Sequence, residues 1–499
     1  MPIVAGMETT DRRRVTVVGN GPAGIAAALS AAGVGAQVTL VGEAEIGGRA
    51  GWDSLVPSKV WLAAVERAAQ SAAADALGVS VAGVSVEPER VLQAIREVAA
   101  GWAEHQREQL RSRGVRLMTG VARTEGHTRV LVSPSTEADV VETVDSDAVI
   151  LAPGSEAVFP AGMRPDGRVI LAPRVASRLG EIPARVVIVG AGATGAEFAH
   201  LFLRLGSHVT WLVDTYGVLP GMAADAVAVL VSALTRAGLE LRAGVAATAV
   251  EAHGRSVTVS LADGGSVTAD AAFLAVGRVP DLTRIAHQPS GSVTPTGAAV
   301  DGFGRTATPG LYLVGDAAGP PMLANDAESM AVAAGRHAAG APSQPHRPDA
   351  IVHAVYTEPA LAQVGEVGQA GAVDAVGDAG GALRSQRVSF RDCLKPWLSE
   401  PGPATDPPTD PSTDSAEGFL TLFCDASTGA VRGAVAVGPG APDAVAPVAV
   451  AIAAGASVHA LAAAGPAYPT LSELPTLAAR RLMDSWSAGA GSDVSQSGG

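Results

Sequence analysis

An α/β fold of two Rossmann-like dinucleotide-binding domains followed by a C-terminal α+β domain is what this 499-residue sequence predicts, on three observations. The apolar run Val15-Thr-Val-Val enters the turn Gly19-Asn-Gly-Pro-Ala-Gly24 and then an alanine-rich stretch. Arg185–Val189 enters Gly190-Ala-Gly-Ala-Thr-Gly195 in the same manner about 170 residues later. After Ala341 a Pro/His-containing linker separates these two units from a segment of different composition. The length fits about three domains at roughly 150 residues each.

Composition narrows the class. Hydrophobic residues make up 47% but aromatics only 4%, so Ala, Val and Leu must fill the core. The net charge of −14 argues against nucleic acid or an anionic membrane surface as partner. Cys393 and Cys424 are the only cysteines, in no metal or redox spacing, which fits a reducing cytoplasm and structural thiols. No metal site is expected. The first residues lack a basic stretch followed by an apolar one, so no signal peptide is expected. Residues 444–465 are apolar but rich in Ala and Gly with His459 inside, and read as a buried helix rather than a membrane span.

In order along the chain, residues 15–19 read as a buried parallel strand and 22–32 as its helix. Gly19 and Gly21 let backbone approach a pyrophosphate, Gly24 permits close helix–strand packing, and the helix start at Pro22 and Ala23 attracts phosphate charge. A second strand, Gln37–Val41, follows at the βαβ distance. The acidic residue that should take the ribose hydroxyls is Glu43, one place late, because Gly42 ends the strand. Helices are expected over about 57–76 and 88–113. The second carries Glu104, Arg107, Glu108 and Arg111 at helical spacing, a solvated face. Val115–Met118 leads into Gly120-Val-Ala122 and short strands to Asp145. Ala148-Val-Ile-Leu-Ala-Pro-Gly154 is a further strand and turn.

The second unit repeats the pattern: strand 185–189, Gly190, Gly192, Thr194 and Gly195 in the turn, a helix to about 205, and strand His208–Val213 ending at Asp214. Asp214 sits where a ribose-binding carboxylate belongs, and no Arg follows it through Pro220. A 2′-phosphate would lack its fork-shaped donor, so NADH is favoured over NADPH. Lys59 and Lys395 are the only lysines in a chain whose other basic side chains are Arg. A compact ammonium is therefore expected at 59, where a guanidinium would not fit. Ile351–Val364 reads as a strand, with others near 385–392 and 419–424. Pro401–Gly418, with its repeated Thr-Asp-Pro, cannot bury a face and reads as a disordered loop, and residues 485–499 as a frayed tail.

Gly47-Gly48-Arg49-Ala50-Gly51-Trp52-Asp53-Ser54-Leu55-Val56-Pro57-Ser58-Lys59 resembles the redox segment of the two-dinucleotide-binding-domain flavoprotein disulfide reductases. Ala50 and Leu55 stand at its two cysteine places. Four further motifs extend the resemblance over roughly 12–485: the two glycine turns, Gly277-Arg-Val-Pro-Asp281, and Thr306 to Gly315-Asp316. Pro153 and Asp281 replace a Thr and an Asn of the family pattern, and Tyr468 replaces the His of a His-Pro-Thr-Leu-Ser-Glu ending. Within the family the likeness is to the lipoamide-dehydrogenase-like quinone reductases, through Tyr468-Pro-Thr-Leu-Ser and Ala478–Met483.

The resemblance implies an FAD-binding domain at 1–152 and 271–345 and an NAD(P)-binding domain at 153–270. It implies an interface/dimerisation domain at 346–485, a tail from 486, and a homodimer. FAD contacts are implied at Gly19, Gly21, Pro22, Ala23, Gly24, Glu43, Gly47, Gly48, Lys59, Ala122, Gly154, Gly315, Asp316, Leu323 and Ala324. NAD contacts are implied at Gly190, Gly192, Thr194, Gly195, Glu197, Asp214 and Gly277. Lys59 is expected to pair with Glu197 beside the flavin. Ala50, Trp52 and Leu55, with Tyr468 and Glu473 from a second copy, are expected to line an acceptor face. The implied function is hydride transfer from NADH to FAD and on to a quinone-like small molecule with no dithiol relay. A flavin oxidase or desaturase of a specialised metabolite, and a non-catalytic flavin-binding scaffold, are the alternatives.

Overall fold

A computed structural model describes residues 12–134, 139, 142–282, 293–294, 297–368, 383–399 and 418–492. Five parallel strands form the first sheet, in the order Leu311–Leu313, Ala148–Leu151, Arg14–Val18, Gln37–Gly42, Arg116–Thr119. Helix α1 (Pro22–Gly33) follows its central strand. Helices α2 (Gly48–Trp52), α3 (Leu55–Ala72) and α4 (Pro88–Ser112) stand between its second and third strands in sequence. A three-stranded antiparallel sheet, Val121–Glu125, Arg129–Ser133 and Glu142–Asp145, branches off before Ala148.

The second sheet is also parallel, ordered Glu240–Ala243, His208–Val213, Arg185–Val189, Ala271–Leu274, Ile170–Leu171. Helix α5 (Ala193–Arg204) leads from its central strand to the next. Ala271–Leu274 is apolar on both faces and pairs with Arg185–Val189, so the boundary expected at 270/271 is displaced. The chain crosses between domains instead along the antiparallel ribbon Ser155–Ala157/Arg278–Pro280. The third domain is an antiparallel sheet, His353–Val355, Ala360–Gly365, Val431–Gly438, Phe419–Asp425, Leu383–Ser389.

Other expectations are corrected here. Ile351–Val364 is two antiparallel strands, because Tyr356–Pro359 turns the chain and the Thr357 hydroxyl donates to the Pro359 carbonyl at 2.7 Å. The apolar stretch 444–465 is two helices, Ala441–Ala453 and Val458–Ala463, broken at Gly455, whose φ of 64° a helix cannot accommodate. The last helix, Glu473–Ser492, continues past 485. The loop expected at 401–418 and the end of the tail, 493–499, lie outside the described residues except for Gly418. Among the described residues no helix is long and apolar enough to cross a membrane, and no group of His, Cys, Asp or Glu could hold a metal ion.

Helix α3 is the member that joins the three domains. Its Trp61, Leu62 and Val65 share one buried cluster with Phe198, Phe202 and Trp211 of the second domain and Phe419 and Val435 of the third. The fully buried Trp61 indole donates to the Ala176 carbonyl at 2.8 Å, so the ring leaves no unsatisfied donor. Lys59 lies half a turn earlier and inherits that rigid placement.

Candidate functional site

A cleft of about 3000 Å³ opens past the carboxyl ends of both parallel sheets, where open α/β sheets place ligands. Both glycine turns reach it, and their glycines divide into two kinds. A Cβ at Gly24 would stand 1.7 Å from the Gly19 carbonyl oxygen, and one at Gly195 would stand 2.2 Å from that of Gly190. Gly19 and Gly190 hold φ of +109° and +116° and would strike the Ala152 and Ala275 carbonyls. These four make the turns possible. A Cβ on Gly21 or Gly192 would meet nothing within 4 Å, so there chain geometry alone does not require glycine. Each precedes a helix (α1 or α5) that has no side-chain cap, which leaves first-turn N–H groups for an anion. Two such cradles fit the pyrophosphates of two dinucleotides, FAD and a nicotinamide nucleotide.

Lys59 and Glu197 meet as expected. The ammonium lies 2.6 Å from Oε2 of Glu197, with the lysine side chain partly and the glutamate almost wholly buried. The glutamate's other oxygen accepts the Tyr356 backbone N–H at 3.1 Å, and the Lys59 Nζ lies 4.3 Å from the Tyr356 ring centroid. Sequence reasoning passed over Tyr356 because it assigned the residue to a continuous strand; the Glu-Pro pair at 358–359 was the signal for the turn.

Two of the departures from the family pattern, Pro153 and Asp281, meet at Arg49. Arg49 donates to the Pro153 carbonyl at 2.7 Å, to Oδ2 of Asp281 at 3.0 Å and to Glu156 at 2.8 Å. Residues 49, 153 and 281 therefore form one cluster across the interdomain ribbon. The late acidic residue has a similar cause. The Asn20 amide donates to the Ala44 carbonyl at 2.6 Å, and a Cβ on Gly42 would lie 2.3 Å from the Asn20 side chain, so the strand must end in glycine. Glu43 lines the cleft one place on. Asp316 bonds the Ser155 hydroxyl, which also accepts from Arg278 Nε at 2.8 Å. Burial pushes the Arg278 guanidinium below its ordinary value, and Asp316 opposes that shift.

Pro22, Ala23, Gly48, Ala122, Gly154, Thr194, Gly277, Gly315, Leu323 and Ala324 also line the cleft. Gly47, with φ of 99°, shapes the turn before α2 behind it. Asp214 ends its strand outside the cleft wall and accepts the Tyr216 N–H at 3.0 Å.

The expected acceptor face divides. Ala50 and Leu55 line the cleft. Trp52 does not, because its indole donates to the Ile46 carbonyl at 2.9 Å and its ring packs on the first domain's core. Beyond it a smaller cavity of about 530 Å³ lies among α1, α4 and α6 (Ala324–Ala338), lined by Leu29, Trp102, Gln106 and Val332 together with Arg113, Glu328 and Arg336. The Gln106 amide oxygen is buried with no hydrogen-bond partner. Tyr468 is 70% exposed and borders neither cavity, and Glu473 Oε1 accepts the Thr470 N–H at 2.9 Å. Both cysteines are free and buried; burial raises both thiols, Cys424 to about 11.

Comparison with known proteins places these features in context. Residues 13–331 match the model of the pyridine nucleotide-disulphide oxidoreductases, and 351–479 match that of their dimerisation domain. A Mycobacterium tuberculosis protein named NAD(P)H dehydrogenase (quinone) is 31% identical over 482 residues, 94% of each chain. A dihydrolipoyl dehydrogenase of Chlorobaculum tepidum is 28% identical over 464 residues, 92% of this chain and 94% of that one. The crystal structure of LpdA from Mycobacterium tuberculosis superposes with a TM-score of 0.82 at 30% identity, covering 94% of this chain and 99% of that one.

Proposed function

The chain belongs to the pyridine nucleotide-disulphide oxidoreductase family, whose members use FAD and NAD(P)H, and from that premise we propose that it transfers reducing equivalents from NADH to a quinone-like acceptor without a dithiol relay. The observation that carries this reading is the intact Lys59–Glu197 pair beside a wall formed by Ala50 and Leu55. The electrostatic half of a hydride-transfer site is present, and the sulfur half is absent.

FAD, when bound, supplies the group that accepts a hydride and returns two electrons. The chain's own residues bind and orient. Gly21 and Gly192 admit phosphates to helix starts. Lys59 holds a fixed positive charge inside the cleft, and Glu197 keeps its side chain from swinging to solvent. Asp214, with no Arg after it through Pro220, is the sequence feature that supports NADH over NADPH. The acceptor would lie against the apolar side chains of Ala50 and Leu55, which line the same cleft as the Lys59–Glu197 pair. Tyr468 and Glu473 would complete the Ala50/Leu55 face from a second copy, in keeping with the dimerisation domain.

Anaerobic mixing with NADH and then a short-chain quinone tests this. The expected result is flavin bleaching by NADH and recovery of colour with quinone much faster than with oxygen. Bleaching with no quinone-dependent recovery would reject the acceptor.

A further inference from the structure

We propose that Tyr356, supplied by the third domain, is a positioning residue that aims Lys59: its ring covers one side of the ammonium while its backbone N–H fixes the carboxylate on another. This rests on the reading of Lys59 and Glu197 as the electrostatic centre of the cleft.

The geometry is a count of directions. An ammonium has three N–H bonds and no acceptor. Glu197 Oε2 takes one at 2.6 Å. The negative face of the Tyr356 ring, 4.3 Å from Nζ at its centroid, attracts a second. The third is left to point into the cleft. Glu197 is itself held at both oxygens, by Lys59 and by the Tyr356 N–H at 3.1 Å, so one residue constrains both members of the pair.

The placement is not a by-product of core packing. Tyr356 is 46% exposed, and it lies in the turn between His353–Val355 and Ala360–Gly365 rather than in either strand. Burial, with Glu197 and Asp443 nearby, raises the phenol above its ordinary value, so the ring remains neutral and its face stays attractive to a cation. The consequence is a link between domains. The third domain, through Tyr356, fixes the direction of the Lys59 ammonium in the cleft.

The composition provides a probe independent of turnover. Lys59 and Lys395 are the only lysines, and Lys395 is exposed. Brief acetylation of the full-length protein as purified, followed by peptide mass spectrometry, reads the reactivity of Lys59 against Lys395 as an internal reference. Y356L removes the aromatic face and keeps the backbone N–H. It should raise the Lys59:Lys395 ratio about threefold or more and slow flavin reduction by a similar factor, with the NADH dissociation constant within about twofold of wild type. Y356F, which keeps the face and the fold, should match wild type in the labelling ratio. An unchanged ratio in Y356L, or an equal rise in Y356F, would overturn the proposal. Wild-type protein that NADH does not bleach would instead defeat the functional reading, and the labelling comparison would still decide the role of Tyr356.

Discussion

At the scale of single residues, Arg49 draws together parts of the chain that are distant in sequence. Arg49, Pro153 and Asp281 lie more than 100 residues apart in sequence between the first two and again between the last two, yet one guanidinium touches the other two. Asp281 is 4% exposed, so its carboxylate lies where a facing cation counts. A double-mutant cycle checks the coupling. R49T should lower unfolding free energy by roughly 1–3 kcal/mol, because it takes a cation from beside a buried carboxylate whose partner was itself partly solvated. D281N should cost less, since Arg49 keeps Glu156 and the Pro153 carbonyl. The double variant should be milder than the sum by about 1 kcal/mol in urea unfolding. Strict additivity would show that the contact has no energetic content.

At the scale of elements, the two glycine turns make opposite demands that substitution can separate. G24A places a methyl group against the Gly19 carbonyl and should disrupt folding. G21A meets nothing in the protein, so its melting temperature without added nucleotide should stay near wild type while FAD binding weakens at least about tenfold. Retained FAD affinity in G21A would remove the phosphate assignment.

Helix α5 carries a second testable feature. His200 lies within it, and burial, aided by Arg204, lowers its imidazole from the ordinary 6.5 to about 4. A depressed value means that the unfolded chain takes up a proton which the folded chain refuses. This contribution is therefore complete above about pH 6.5 and fades as pH falls toward about 4, losing about 2 kcal/mol between pH 7 and pH 5. Urea melts of wild type and H200N at those two pH values check it: the loss should shrink markedly in H200N, and an equal loss would place the proton elsewhere.

Element by element, strands and helices with strong periodicity were legible. Arg185–Val189 and His208–Val213 agree with expectation to the residue, and α4 differs by one residue at its end. What sequence could not show was long-range. The assignment of Ala271–Leu274 to a sheet depends on a neighbour about 85 residues away, and the turn at Tyr356 interrupts an apolar run that local pattern reads as continuous. Trp52 was misplaced for a related reason. Spacing puts it on the redox-like segment, but only the packed structure shows that its indole is committed to Ile46.

At the scale of the whole molecule, α3 unites the two nucleotide-binding domains and the dimerisation domain, and Lys59 stands on that helix. Motif spacing could establish the pairing of Lys59 with Glu197, because both motifs belong to a family in which they meet. It could not establish the contacts of Tyr356 or Arg49, because each acts across a domain boundary that spacing along the chain does not show.

The central claim is that electrons pass through flavin alone, and an anaerobic titration of the purified flavoprotein with NADH, followed by absorbance, measures that directly. Flavin accepts one two-electron equivalent, and a neighbouring dithiol would accept another. The account predicts an end point at one NADH per FAD, unchanged after the thiols have been alkylated. An end point at two equivalents, or protein that binds no FAD, would contradict it.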